Sequence, residues 1–475
     1  MRRHDFLRAG AAALSVVSLA RVTQRALASD VVDVTLRSAP LRFSPGAGLY
    51  FSGLAYNGTI PGPLLRVAHG QRIRIRYASG VGVPTSIHWH GMLLPNAMDG
   101  AAGITQPAVP FGGEYLYDFV PGPPGTRWYH DHALTLASAR GLFGMFVVED
   151  PNDEPADREF ALIFHDVPNW SSLNAAQRGV SNAPMTDPVV SGERMQMTHP
   201  SMGDEVAYLA HCINGASYPH GKTLAIRTGD RVRLRVLNAS PTQTRYVRLA
   251  GHELVVTHAD GNPLARPTTV DALRIGAGER YDAYFEVREP GAFLLQGISA
   301  DVLESQQAVL LHTEGMENAP PRGEPQTLDG LRVFSYEAAG GVGALTKSPA
   351  DAPPTHDLVL GGGGWENPRW TIDGNVWPNT PKLRVHRGEL VTVRFRNTSD
   401  MDHPMHLHGH TFALTEVNGV PLLRPLAKDG SLVSANGGTA TWRFTATSPP
   451  GRWLLHCHNE IHMIGGMMAE VVYIS

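Results

Sequence analysis

The chain has 475 residues, about three domains at the usual domain size, and a formal net charge of −4. A mixed, slightly acidic balance points to no nucleic-acid partner, and 50 Gly with 36 Pro favour an all-β chain with tight turns. Two cysteines, Cys212 and Cys457, exclude a disulfide-built scaffold.

Residues 1–28 read as an export signal. Arg2 and Arg3 precede an apolar run from Ala9 to Ala20, and Ala26-Leu27-Ala28 offers a small-residue cleavage site before Ser29. The run is too short for a stable membrane span. The paired arginines resemble a twin-arginine signal, although "RRHDFL" has one residue too many between them and Phe6-Leu7. The expected location is periplasmic or secreted.

Three stretches then align: "YNGTIPGPLLRVAHGQRIRIRYAS", "INGASYPHGKTLAIRTGDRVRLRVLNAS" and "IDGNVWPNTPKLRVHRGELVTVRFRNTS". Their turn glycines are Gly70, Gly229 and Gly388, so each step is 159 residues (229 − 70 and 388 − 229). Each copy predicts a short strand, a glycine turn and a strand alternating with period two. Three tandem β-sandwich or small-barrel domains follow: 29–152, 153–318 and 319–475. "EGMENAPPRGEPQ" (314–326) is the linker candidate. Within the first copy, "RIRIRY" (72–77) reads as a solvated strand face rather than a basic binding patch. Cys212 in the second reads as a small buried strand residue.

A second alignment carries the chemistry. The copies contain "PGTRWYHDH", "PGAFLLQGI" and "PGRWLLHCH", so one strand reads His-Asp-His, Gln-Gly-Ile or His-Cys-His. Only the outer copies keep the polar pair, which a purely structural role would not require. Four His-x-His pairs occur: His88/His90, His130/His132, His406/His408 and His456/His458. In extended chain each pair shares a face, so eight imidazoles could converge between the first and third domains. Imidazole suits copper, zinc, iron or nickel, and eight rings imply several ions. Cys457 must face away from His456 and His458. With His403, His462 and the more distant Met467 it forms the ligand set of a blue-copper electron-transfer site. Zinc is the weaker alternative, having no redox chemistry.

The motifs "HWHG", "HDH", "HPMHLHGH" and "HCHNEIHMIGGM" resemble the four copper motifs of the multicopper oxidases, the laccase and cuprous-oxidase group. The resemblance covers the whole chain after the signal and implies three cupredoxin domains with an empty middle one. It implies four copper ions. His403, Cys457 and His462 would bind type 1 copper with Met467 axial; His88 and His406 would bind type 2. His90, His130 and His458 would take one type 3 copper, and His132, His408 and His456 the other. Single electrons collected at type 1 would reduce O2 to water at the trinuclear cluster.

The same resemblance places Asp99 in "NAMDG" as an acid beside type 2 copper; the plainer reading is a turn Asp before Gly100. Bacterial cuprous oxidases often have a Glu directly after the last type 1 histidine, where this chain has Met463. Glu460 matches an acid of fungal laccases and is the second proton-donor candidate. Met467 as axial residue implies a low to moderate potential. Met185, Met195, Met197 and Met202, with His199, read as loop methionines or as a Cu(I)-capturing segment. "GGGGW" (361–365) reads as a flexible loop, and His410 as a support for a ligand. The expectation is a monomeric laccase-like oxidase of phenolic reductants using O2. A cuprous oxidase for copper tolerance and a non-catalytic copper carrier are the alternatives.

Overall fold

The computed structural model describes residues 31–46, 48–133, 136–170, 206–298, 307–324, 328–341, 353–363 and 368–474. The export signal, the Met185–Met202 stretch and part of "GGGGW" lie outside them.

The described chain is almost entirely β, in six sheets that fall into three sequential pairs. In each pair the strand after the repeat glycine lies parallel to the first strand of its unit: Arg72–Ser79 beside Val31–Gly46, Arg231–Asn238 beside Arg158–Pro168, and Leu390–Asn397 beside His356–Gly362. The preceding glycines, Gly70, Gly229 and Gly388, have φ of +81°, +90° and +83°, which a side chain would strain. At the far end of the strand Asn238 and Asn397 repeat one device. Each amide donates to two carbonyls, Gln243 and Ile275 in one case, Met401 and Val433 in the other.

Strand burial follows the alternation. Ile73, Ile75 and Tyr77 are buried, while Arg72, Arg74 and Arg76 point outward. The arginines pair with Asp118, Asp33 and Glu114 at 2.6, 2.8 and 3.5 Å, so "RIRIRY" is a neutralised solvated face. Large rings fill the sandwiches; Phe412 stacks on Trp442 with centroids 3.9 Å apart, and burying such a side chain contributes about 2–3 kcal/mol. Cys212 is buried in the strand Tyr208–Ile213, and both cysteines are free thiols.

The linker candidate is partly tied to the second unit. Arg322 donates its N–H to Ala292 and accepts from Leu294, adding a bridge to the strand Ala292–Ile298. That strand is central in its sheet, but its first residues extend beyond the pairing with Arg245–Leu249 and leave backbone groups that hold the passing segment despite its prolines. Among the described residues no helix is long and apolar enough to cross a membrane.

Candidate metal centre

His88 and His90 lie on one short buried strand; in each of the other pairs the first histidine lies on a strand and the second, His132, His408 or His458, just beyond its end. His88–His90 runs antiparallel to Gly125–His130, with His88 opposite His130. His403–Leu407 runs antiparallel to Arg452–Cys457, with His406 opposite His456 and Met405 opposite Cys457. Trp89, between His88 and His90, points into the core of its own unit and has no exposed surface, so both histidines face the third unit.

All eight imidazoles converge there. His88 Nε2 lies 3.4 Å from His406 Nε2, and His456 Nε2 lies 3.3 Å from His132 Nε2 and 3.0 Å from His408 Nε2. The rings of His130 and His458 are 5.2 Å apart, and those of His90 and His406 stack at 3.6 Å. Burial pushes His90, His130, His132, His406, His408 and His458 well below the usual imidazole range, and neighbouring imidazoles add to the shift. His456 is lowered to about 4 for the same first reason, burial. Neutral imidazole is the ligating form.

On the other face of the same strand, Cys457 Sγ lies 3.8 Å from His403 Nδ1 and 3.5 Å from His462 Nδ1, and these two nitrogens are 3.0 Å apart. The short helix Glu460–Ile464 sets His462. Its cap Asn459 accepts from Ile461 N and His462 N at 2.9 and 3.3 Å. Ser399 Oγ sits 2.8 Å from His403 Nε2, leaving Nδ1 to face the thiol. Met467 is buried and exchanges backbone bonds with both partners, donating to His462 and accepting from Cys457.

The two candidate acids are both buried. Asp99 Oδ2 accepts from His408 Nδ1 at 2.9 Å, and its carbonyl accepts from His88 Nδ1 at 2.7 Å. The carboxylate of Glu460 accepts from the N–H groups of Ser138 and Ala139, and burial pushes it up to about 7. It lines a cavity of about 460 Å³ with His130, His132, His456, His458 and Met463. His410 bonds the carbonyl of His408 and the hydroxyl of Tyr473, both at 2.8 Å, and so contacts a cluster histidine through its backbone.

Three contacts had no signal in the spacing. Asp429, fully buried, places Oδ1 3.1 Å from His90 Nε2 and accepts from His406 Nδ1 with its carbonyl. Arg280, from the middle unit, grips that carboxylate. Trp370 packs against His462 with centroids 3.8 Å apart and planes tilted by 36°.

The donors suit copper. His90 Nδ1, His130 Nε2 and both nitrogens of His458 are buried with no hydrogen-bond partner among the described residues, an arrangement costly without an ion to bind them. Metal-compatible groupings include His88/His406/His408, His132/His408/His456 and His403/Cys457/His462. Thiolate with two imidazoles beside an all-imidazole cluster selects redox-active copper over zinc.

Paired Greek-key sheets of this kind define a cupredoxin-type protein in three units. The chain belongs to the multicopper oxidase family, whose models match residues 43–153, 188–315 and 349–475, each described as multicopper oxidase. It is 34% identical to the multicopper oxidase MmcO of Mycobacterium tuberculosis (strain ATCC 25618 / H37Rv), over 98% of this chain and 92% of that one. It is 27% identical to Laccase-1 of Fomitopsis schrenkii, covering 97% and 90%, and 24% identical to copper resistance protein A of Escherichia coli, covering 87% and 88%. Its fold is similar to that of Fet3p, described as a multicopper oxidase that functions in iron import, with TM-score 0.76, 19% identity and coverage of 93% and 90%.

Proposed function

We propose that this chain is a laccase-like oxidase that takes single electrons from a phenolic reductant and passes them to O2, which is reduced to water. His403, Cys457 and His462, with Met467, would hold type 1 copper, and His88 and His406 type 2. His90, His130 and His458 would hold one type 3 copper and His132, His408 and His456 the other, four ions in all. Copper supplies one-electron exchange at the thiolate site and O2 reduction at the cluster.

One observation carries the reading: Cys457 faces His403 and His462 while its neighbour His456 faces His408 and His132. Two sites thus share one strand, a few covalent bonds apart. The chain's other residues keep both sites fixed. Asn459 anchors His462, and the backbone carbonyls of Asp99, Asp131, Asp429 and Cys457 take Nδ1 of His88, His130, His406 and His456, so those rings offer Nε2. Asp99, bonded to His408, and Glu460, lining the cavity, would be the carboxylates that move protons. The domain limits 29–152, 153–318 and 319–475, export to the periplasm or outside, and a monomeric state belong to the same proposal.

The test is oxygen uptake by the copper-loaded protein given 2,6-dimethoxyphenol or Cu(I) in parallel, with Cys457→Ser as control. Faster uptake with the phenol supports the laccase reading. Preference for Cu(I) establishes instead a cuprous oxidase, the second reading, favoured by similarity to copper resistance protein A. A fully loaded protein that consumes no oxygen with either is a carrier.

A further inference from the structure

His90 differs from its neighbours in the ring nitrogen it leaves open. His88, His130, His406 and His456 each place Nδ1 against a backbone carbonyl, at 2.7, 3.0, 2.8 and 2.9 Å. His90 is turned the other way. Its Nε2 lies 3.1 Å from Asp429 Oδ1, and its Nδ1 has no hydrogen-bond partner among the described residues. A ring that donates Nε2–H to a carboxylate keeps its lone pair on Nδ1.

Asp429 has no exposed surface, and a carboxylate buried this way needs a fixed cation. Arg280 provides it with a two-pronged contact, Nη1 to Oδ1 at 2.8 Å and Nη2 to Oδ2 at 2.6 Å, which sets the plane of the carboxylate. Arg280 is itself held: Nε donates to the Thr126 carbonyl at 3.2 Å and Nη1 to the Gly278 carbonyl at 3.1 Å. The next residue after His90 is adapted to the pair. A Cβ on Gly91, whose φ is +81°, would fall 2.4 Å from both Arg280 Nη2 and Asp429 Oδ2. Arg127 of the first unit approaches the same carboxylate at 3.5 Å. All three units therefore meet at Asp429, and its carbonyl also fixes His406.

We propose that Arg280 is a positioning residue for the copper cluster: it holds Asp429 so that His90 presents Nδ1, and not Nε2, to the metal. This rests on the reading that the eight histidines hold copper. It gives the middle unit, which carries none of the assigned ligands, a direct part in shaping the site.

The experiment compares Arg280→Lys and Asp429→Asn with the unaltered protein. Lysine keeps the charge but loses the fork; asparagine keeps the shape but turns an amide NH2 toward Arg280. Three quantities are followed: total copper retained against a graded chelator, the visible thiolate-to-copper band from the Cys457 site, and the thermal midpoint of the copper-free protein. The expected result is a roughly 10–100-fold weaker hold on cluster copper, out of proportion to any fall in the copper-free midpoint that loss of a buried ion pair brings, with the Cys457 band unchanged. Either variant that folds decides the matter. Cluster copper held at the original affinity overturns the inference, and so does parallel loss of the Cys457 band and the midpoint, the pattern of a merely structural contact. If the unaltered protein is fully loaded and the variants match it, this inference fails alone. If the unaltered protein takes copper only at Cys457, the multicopper reading fails and takes the inference with it.

Discussion

The indole of Trp370 lies against the imidazole of His462, ring centres 3.8 Å apart and planes at 36°, and the two side chains are 3% and 0% exposed. The indole therefore covers one face of a buried imidazole of the Cys457 site. Trp370→Ala admits water beside His462, which stabilises the more highly charged oxidised form. The type 1 potential should fall by roughly 1 kcal/mol, about 40 mV for one electron. A redox titration of the visible band measures this; an unchanged potential would mean the indole has no influence on the site.

Gly100 controls where Asp99 sits. Its φ is +88°, and a Cβ there would lie 1.8 Å from the carbonyl oxygen of Ile87, the residue before His88. Gly100→Ala must push apart the segment that carries His88 from the one that carries Asp99. Overpacking against rigid backbone, together with left-handed strain, should cost about 3 kcal/mol or more. Denaturant unfolding of the copper-free variant is the check, and a loss below about 1 kcal/mol would show that the backbone relaxes there.

His165 gives the stability a pH dependence remote from the metal sites. It is buried, and its Nε2 accepts from Gly215 N at 3.0 Å, so the folded form requires neutral imidazole. Burial lowers it to about 4, against the opposing pull of neighbouring Asp166, which also pairs with Arg245 and His211. The unfolded chain takes up this proton near the ordinary pKa of about 6.5. The contribution is thus fully present above that value and is lost as pH falls through about 4, on the order of 2–3 kcal/mol. His165→Gln keeps an acceptor and removes the titration. Between pH 7 and 4.5 the copper-free variant should lose less stability than the unaltered chain; equal losses would place the dependence elsewhere.

Most of the architecture is legible in the residues because it rests on short-range periodicity. "RIRIRY" shows its inward isoleucines and outward arginines directly, and Gly70, Gly229 and Gly388 mark the matching turn in each unit. The histidine pairs are legible for a similar reason: alternate residues of extended chain share a face, although His132, His408 and His458 lie just past the ends of their strands. Asp429, Arg280 and Trp370 obey no such spacing. Arg280 reaches Asp429 across an interface between units, and Trp370 reaches His462 from a separate strand, Trp370–Ile372. Contacts of that kind arise from the packing of whole sheets, so no local pattern announces them. The linker candidate is partly tied down for a related reason: its Pro and Glu content suggests an open connection, whereas the unpaired start of the strand Ala292–Ile298 binds Arg322.

The most direct test of the shared strand is oxygen stoichiometry, with both sites loaded with copper and 2,6-dimethoxyphenol as reductant. With Cys457 relaying electrons to the histidine cluster, about four phenol oxidations should accompany each O2 consumed, with no peroxide released. Cys457→Ser, loaded at the cluster, should consume essentially none. Peroxide as the main product, or uptake undiminished in Cys457→Ser, would contradict the coupling of the two sites through that strand.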